Sequence, residues 1–230
     1  MDSTKSMRRA KVKKTIYAFI LFGLILMSGC QAMNEEQPEQ AEETEETEET
    51  NPEEDMNENE PEKSEEETVL EEASKVISLL KAKNAEELTN YVHEDKGVMF
   101  SPYAHIEKDA VTFKKEEVVE VFQSQKKKTW GTRDGSGEPI ELTPHEYYSE
   151  FVYDANYHEA DEVVLDPTEP RGNTLKNIKE LFPDAHVVEY YVKGTEEYDN
   201  MDWKALNLVF EKDQIGEWKL VAVVHDQWTI

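Results

Sequence analysis

The chain has 230 residues, with 52 Asp and Glu against 25 Lys and Arg, for a formal net charge of -27. A polyanion without a basic stripe does not track nucleic acid phosphates. A single Cys excludes both a disulfide framework and a Cys-rich zinc site. The charge is also unevenly placed: residues 1–30 carry +5, residues 31–67 carry -17 and residues 68–230 carry -15. These shifts divide the chain into three segments: 1–29, 30–67 and 68–230.

The first segment opens with Lys5, Arg8, Arg9, Lys11, Lys13 and Lys14, followed by an apolar run from Thr15 to Met27. As a helix that run spans about 20 Å, short of the roughly 30 Å hydrocarbon core, which suits a secretory signal better than a membrane span. The run ends in Met27-Ser28-Gly29-Cys30, which resembles the lipobox of bacterial lipoproteins. That resemblance implies cleavage before Cys30 and acylation of its thiol. Two or three acyl chains exceed the single-chain threshold for stable anchoring. The expected location is the outer, extracytoplasmic face of the cell membrane, with the membrane itself as a partner.

Residues 30–67 repeat Glu-Glu-Thr and lack any aromatic residue. Such a stretch buries too little apolar surface to offset its ordering entropy, and its like charges extend it. It reads as a disordered tether.

From Thr68 onward the sequence reads as folded. Thr68 with Glu71 predicts a capping box ahead of a helix reaching Lys81, and Asn84 with Glu87 a second, short helix ending near Val92. Short extended runs follow at Val98–Phe100 and Ala110–Phe113, then a helix over Lys114–Gln125. Asp134-Gly135-Ser136-Gly137 marks a turn between short extended runs. Thr143-Pro144 opens a helix to Tyr153, with Pro at the first helical position. Residues 154–172 read as loop with a strand at Glu162–Leu165, and Asn173 caps a further helix that Pro183 stops. Three strands close the chain, at His186–Val192, Asp202–Phe210 and Glu217–Ile230, the last two joined by a turn over Asp213–Gly216.

Helices first and long antiparallel strands last predict an α+β domain, with helices on one face of a curved sheet. That order resembles the NTF2-like cone, which implies a pocket between helices and sheet. The ending Val-His-Asp-Gln-Trp-Thr-Ile also resembles that of a Bacillus-type lipoprotein family, which implies no activity.

Strict alternation along the last strand places Trp218, Leu220, Ala222, Val224, Asp226 and Trp228 on one face, and Val221, Val223 and His225 on the other. His225 and Asp226 are adjacent in sequence but a regular strand separates them. An acid on an apolar face is a candidate general base, so Asp226 and His225 are the catalytic candidates. Tyr103, His105, Tyr190 and Trp228 are the candidate pocket residues, as polar-tipped aromatics or His near strands. His93, His105, His145, His158, His186 and His225 show no metal-ligand spacing, so no metal is expected. Without a P-loop, a dinucleotide fingerprint or Gly-x-Ser-x-Gly, no cofactor is expected. Two readings remain. One is a binding or interaction module for a small molecule, a cell-wall component or a surface protein, with the sheet as a candidate homodimer face. The other is a small isomerase or dehydratase using a pocket carboxylate or histidine.

Overall fold

The computed structural model describes residues 63–229. Cys30, the expected lipobox and nearly all of the expected tether lie outside the described residues. The first helix, α1 (Glu65–Ala82), begins within the stretch expected to be tether. Its cap is Ser64, whose hydroxyl accepts from the Glu67 backbone while the Glu67 carboxylate accepts from the Ser64 N–H. The Thr68–Glu71 box expected from sequence is therefore displaced one turn. Three acids in the first turn complement the positive end of the helix dipole. Val69, Ala73, Val76, Ile77 and Leu80 form its buried stripe, at the spacing of one helix face.

The elements then run α2 (Ala85–Leu88), β1 (Val98–Ser101), β2 (Val111–Phe113), α3 (Val118–Gln123), β3 (Lys128–Thr132), β4 (Pro139–Leu142), α4 (Pro144–Phe151), β5 (Glu162–Leu165), α5 (Ile178–Leu181), β6 (His186–Val192), β7 (Lys204–Lys212) and β8 (Trp218–Gln227). A six-stranded sheet has the order β2-β1-β8-β7-β6-β5, while β3 and β4 form a separate hairpin. Every pairing in the large sheet is antiparallel except β1 with β8. The protein is thus α+β with a curved, mostly antiparallel sheet. Gly97 leads into β1 at φ 71°, and a Cβ there would stand 2.2 Å from the Phe113 carbonyl oxygen. Only Gly permits β2 to close on β1. Among the described residues no helix is long and apolar enough to cross a membrane.

Two hydrophobic clusters lie on opposite faces of the sheet. The larger joins α1 and α4 to Phe100, Val188, Leu206, Leu208, Phe210, Leu220 and Val223. Aromatic rings fill the space between: Trp130 stacks on Tyr147 at 3.9 Å, and Phe100 meets Phe113, Phe122, Trp130 and Tyr147. The space that a cone would leave as a pocket is therefore occupied by packed rings. The smaller cluster holds Ile106, Ile178, Val187, Val209, Ala222 and Val224. It is covered by the 102–110 loop and by a strap over residues 166–177.

Two expectations changed for tertiary reasons. Residues 173–177 do not join α5, because Asn173 and Asn177 spend their side chains on distant backbone, at Thr229 and at Ile106. In β8, the register shifts between Val209 and Phe210, which face Ala222 and Leu220, so Val221 is an extra residue. This bulge reverses the alternation. Trp218, Leu220 and Val223 face the helices, whereas Val221, Ala222 and Val224 face the strap. Asp226 is consequently not on the Trp218–Leu220 face, and His225 is.

Candidate functional site

The strap starts at Asp166, which adopts φ 48°, a left-handed conformation that short polar side chains tolerate. Its carboxylate is tied by the Val187 N–H at 2.9 Å, His186 Nδ1 at 2.6 Å and Lys179 Nζ at 2.9 Å. At the other end, Asn177 bonds both backbone groups of Ile106, at 2.8 and 3.0 Å. Between these pins the chain reads Pro-Thr-Glu-Pro-Arg-Gly-Asn-Thr-Leu-Lys. Two prolines keep residues 167–170 off any ladder, and the segment stands away from the sheet.

Beneath the strap the sheet presents polar side chains at positions where its neighbours are apolar. Glu189 on β6 lies directly opposite Asn207 on β7, and Asp226 is further along the same face of β8. All three are buried. Arg171 reaches Glu189 at 2.7 Å and Glu162 at 2.8 Å, and its guanidinium covers the Tyr191 ring at 4.0 Å. Lys176 bonds Glu189 and stands 3.4 Å from Asp226 and 3.5 Å from Asn207 Oδ1. Burial pushes the Asp226 carboxyl up to about 6, an effect the Lys176 charge only partly offsets and Glu189 reinforces.

A cleft of about 500 Å³ opens beside this network, lined by Pro167, Leu175, Ile178 and Val187 with Lys176 and Asn207 at its polar end. A second cavity of about 300 Å³ lies across residues 167–170, against Arg171 and Glu189. A mostly apolar cleft with a few convergent polar groups is the usual form of a small-molecule site.

On the helix face His225 is sealed, at 0 % exposure. Its Nδ1 faces the Pro102 carbonyl and its Nε2 faces Asp154, each at 3.1 Å. Asp154 also accepts from the Tyr157 hydroxyl at 2.6 Å and lies 3.4 Å from Lys204. Burial opposes the Asp154 anion, yet His225, Tyr157 and Lys204 together outweigh it and hold the carboxyl below its ordinary value. Asp226, on the opposite face, is 3 % exposed. Neither catalytic candidate opens to a substrate.

The four candidate pocket residues separate. Tyr103 and His105 do come together, with Glu107, Arg133, Asp134 and Thr174, around a cavity of about 310 Å³. There the Tyr103 hydroxyl accepts from the Asp134 N–H at 3.3 Å, and Thr132 donates to Glu107 at 2.6 Å. Tyr190 is instead buried in the helix-side cluster. Trp228 is 44 % exposed beyond the end of β8. Among the described residues no group of three or more His, Cys, Asp or Glu is placed to hold a metal ion.

Sequence reasoning missed Arg171, Lys176, Glu189, Asn207 and Asp154. Two of these carried a signal. Glu189 interrupts Val-Val-x-Tyr-Tyr, and Asn207 interrupts Ala-Leu-x-Leu-Val-Phe, each an isolated polar residue in a strand that is otherwise apolar. No family model, no curated protein and no solved structure matches the chain.

Proposed function

We propose that the chain is a lipid-anchored, extracytoplasmic binding module. Cys30 carries the acyl chains and the acidic segment acts as spacer. An NTF2-like domain holds a small molecule or a cell-wall component in the 500 Å³ cleft beneath the strap. The cleft is the observation that carries this reading, because it pairs apolar walls at Leu175, Ile178 and Val187 with polar groups at Lys176 and Asn207 and with Asp166, Glu169 and Lys179 along its lining. The sheet order, with β1 next to the edge strand and parallel to β8, supports the NTF2-like assignment. The enzyme reading has weaker support, since His225 and Asp226 are both enclosed by fixed partners.

The two halves of the proposal have separate tests. In a bacterial host, labelled palmitate incorporates into the chain, and Cys30→Ser abolishes the label and releases the protein from membranes. Retention of label by Cys30→Ser refutes the anchor. A thermal-shift screen of wall fragments, lipids and small metabolites finds a ligand that raises Tm in the native chain, and Leu175→Asp cancels that rise. Leu175 is 80 % exposed, so its substitution leaves the fold intact. A screen without any shift refutes the cleft as a binding site.

A further inference from the structure

Lys176 brings a primary amine against a side-chain amide inside the protein. Its Nζ stands 3.5 Å from Asn207 Oδ1, touches Glu189 and lies 3.4 Å from Asp226 Oδ2. Glu189 and Asn207 are fully buried, and Asp226 nearly so. The side chain of Lys176 is itself only 15 % exposed. We propose that Lys176 and Asn207 become joined by an intramolecular isopeptide bond, with Asp226 carrying the proton and Glu189 holding the amine in place.

The two carboxylates around Nζ differ in the way this chemistry needs. Glu189 is also gripped by the Arg171 guanidinium at 2.7 Å, which fixes its carboxyl in place to position the amine. Asp226 has no guanidinium, and its burial favours the protonated form. Asp226 takes one proton from the Lys176 ammonium, which leaves a neutral amine. Nζ then adds to Cγ of Asn207, forming the Nζ–Cγ bond and placing the carbonyl electron pair on Oδ1. As that oxyanion collapses, the Cγ–Nδ2 bond breaks. Asp226 returns its proton to Nδ2, Nζ loses a second proton to the same nitrogen, and ammonium departs. One ammonium and one primary amide become one secondary amide and one ammonium ion, with no oxidant or cofactor required. Fixed proximity of reacting groups and exclusion of water favour the addition, two conditions that an amide in solution lacks.

A second lysine supplies an internal contrast. Lys204 also meets a side-chain amide, that of Gln227, and a carboxylate, that of Asp154. Gln227 is only half-buried at the strand end, and Asp154 is held ionised by His225 and Tyr157. That pair lacks both the dry setting and the proton carrier, so Lys204 stays unlinked. The bond at Lys176 would brace a region that has no other covalent option, since the only Cys of the chain is Cys30.

The test is tryptic digestion of the folded full chain under denaturing conditions, read by mass spectrometry. Trypsin is expected not to cut after Lys176, and the Lys176 and Asn207 peptides appear as one branched species, lighter than their sum by one ammonia. Lys176→Arg keeps a cation for Glu189 and cannot form the bond, so it yields linear peptides and migrates more slowly on a denaturing gel. Asp226→Asn slows bond formation by about 10²-fold, the scale of a lost proton carrier. Linear Lys176 and Asn207 peptides in the native chain, after prolonged incubation of folded protein, overturn the proposal. That result needs no variant to fold, and it is read separately from the ligand screen, whose outcome turns on Leu175→Asp at the cleft mouth.

Discussion

The two faces of the large sheet solve the same burial problem in opposite ways. On the helix face, rings from five elements interlock, and among the described residues the Tyr147 hydroxyl is the buried side-chain polar atom without a partner. On the strap face the apolar cluster is small, charges are buried in its midst, and cavities flank residues 167–170. Dense apolar packing gives stability but leaves no room for a ligand. A strap hooked through charges leaves room at the cost of desolvating those charges, which attraction repays only when every partner is in place. Under the proposed binding role, the division places stability on one side and recognition on the other.

The largest expected effect lies in the ring cluster on the helix face. Phe100→Ala removes a ring that touches four other aromatics, and loses about 3–5 kcal/mol of stability. Val187→Ala, on the wall of the strap cleft, loses about 1–2 kcal/mol, since only two methyl groups are removed and one side of the buried side chain borders a cavity. Denaturant midpoints at constant m measure both. Equal losses would show that the strap face is packed as tightly as the helix face.

The elements behind this contrast were unequally legible in the sequence. The Thr143-Pro144 start of α4 was readable because cap and proline act locally. The three terminal strands were readable from their apolar, β-branched runs. The bulge at Val221 was not, because a period of two cannot reveal where one residue is extra. That single residue exchanged the expected surroundings of His225 and Asp226. The strap's first half, residues 166–172, is loop as its pattern indicates, but residues 173–177 are not the expected helix because Asn173 and Asn177 bond to backbone 56 and 71 positions away, and local pattern carries no trace of such partners. Glu189 and Asn207 were visible as breaks in apolar strands, although their cations at Arg171 and Lys176 were not.

A middle-sized effect contrasts the two aspartates, one on each face. Asp154 has a lowered pKa in the folded state, so its contribution is complete above the ordinary value of 3.8 and disappears as pH falls below it. Asp226 has a raised value, so between 3.8 and about 6 the folded state holds a proton that the unfolded state has released. Stability therefore falls as pH rises through that window, by on the order of 3 kcal/mol, and is flat above it. The charges that act on Asp226 are Lys176 and Glu189 on its own face and His225 across the strand. In a Lys176→Arg background, where no cross-link forms, adding Asp226→Asn removes the decline, whereas Asp154→Asn removes the loss below 3.8. Urea midpoints at a series of pH values distinguish them. A decline between 4 and 6 that survives Asp226→Asn would assign the titration to another group.

The smallest effect on stability carries the most information about recognition. Leu175→Asp alters a side chain that projects from the strap into solvent at the cleft mouth, and changes stability by no more than about 0.5 kcal/mol. Its effect on a cleft ligand is much larger, because an added carboxylate at an apolar wall must be desolvated or must exclude the ligand. Tyr103→Ala at the neighbouring 310 Å³ cavity leaves that affinity unchanged. A ligand whose binding falls with Tyr103→Ala and survives Leu175→Asp occupies the other cavity. The site would then move from the strap to the hairpin edge, and the charged network under the strap would be a device of stability like the ring cluster opposite.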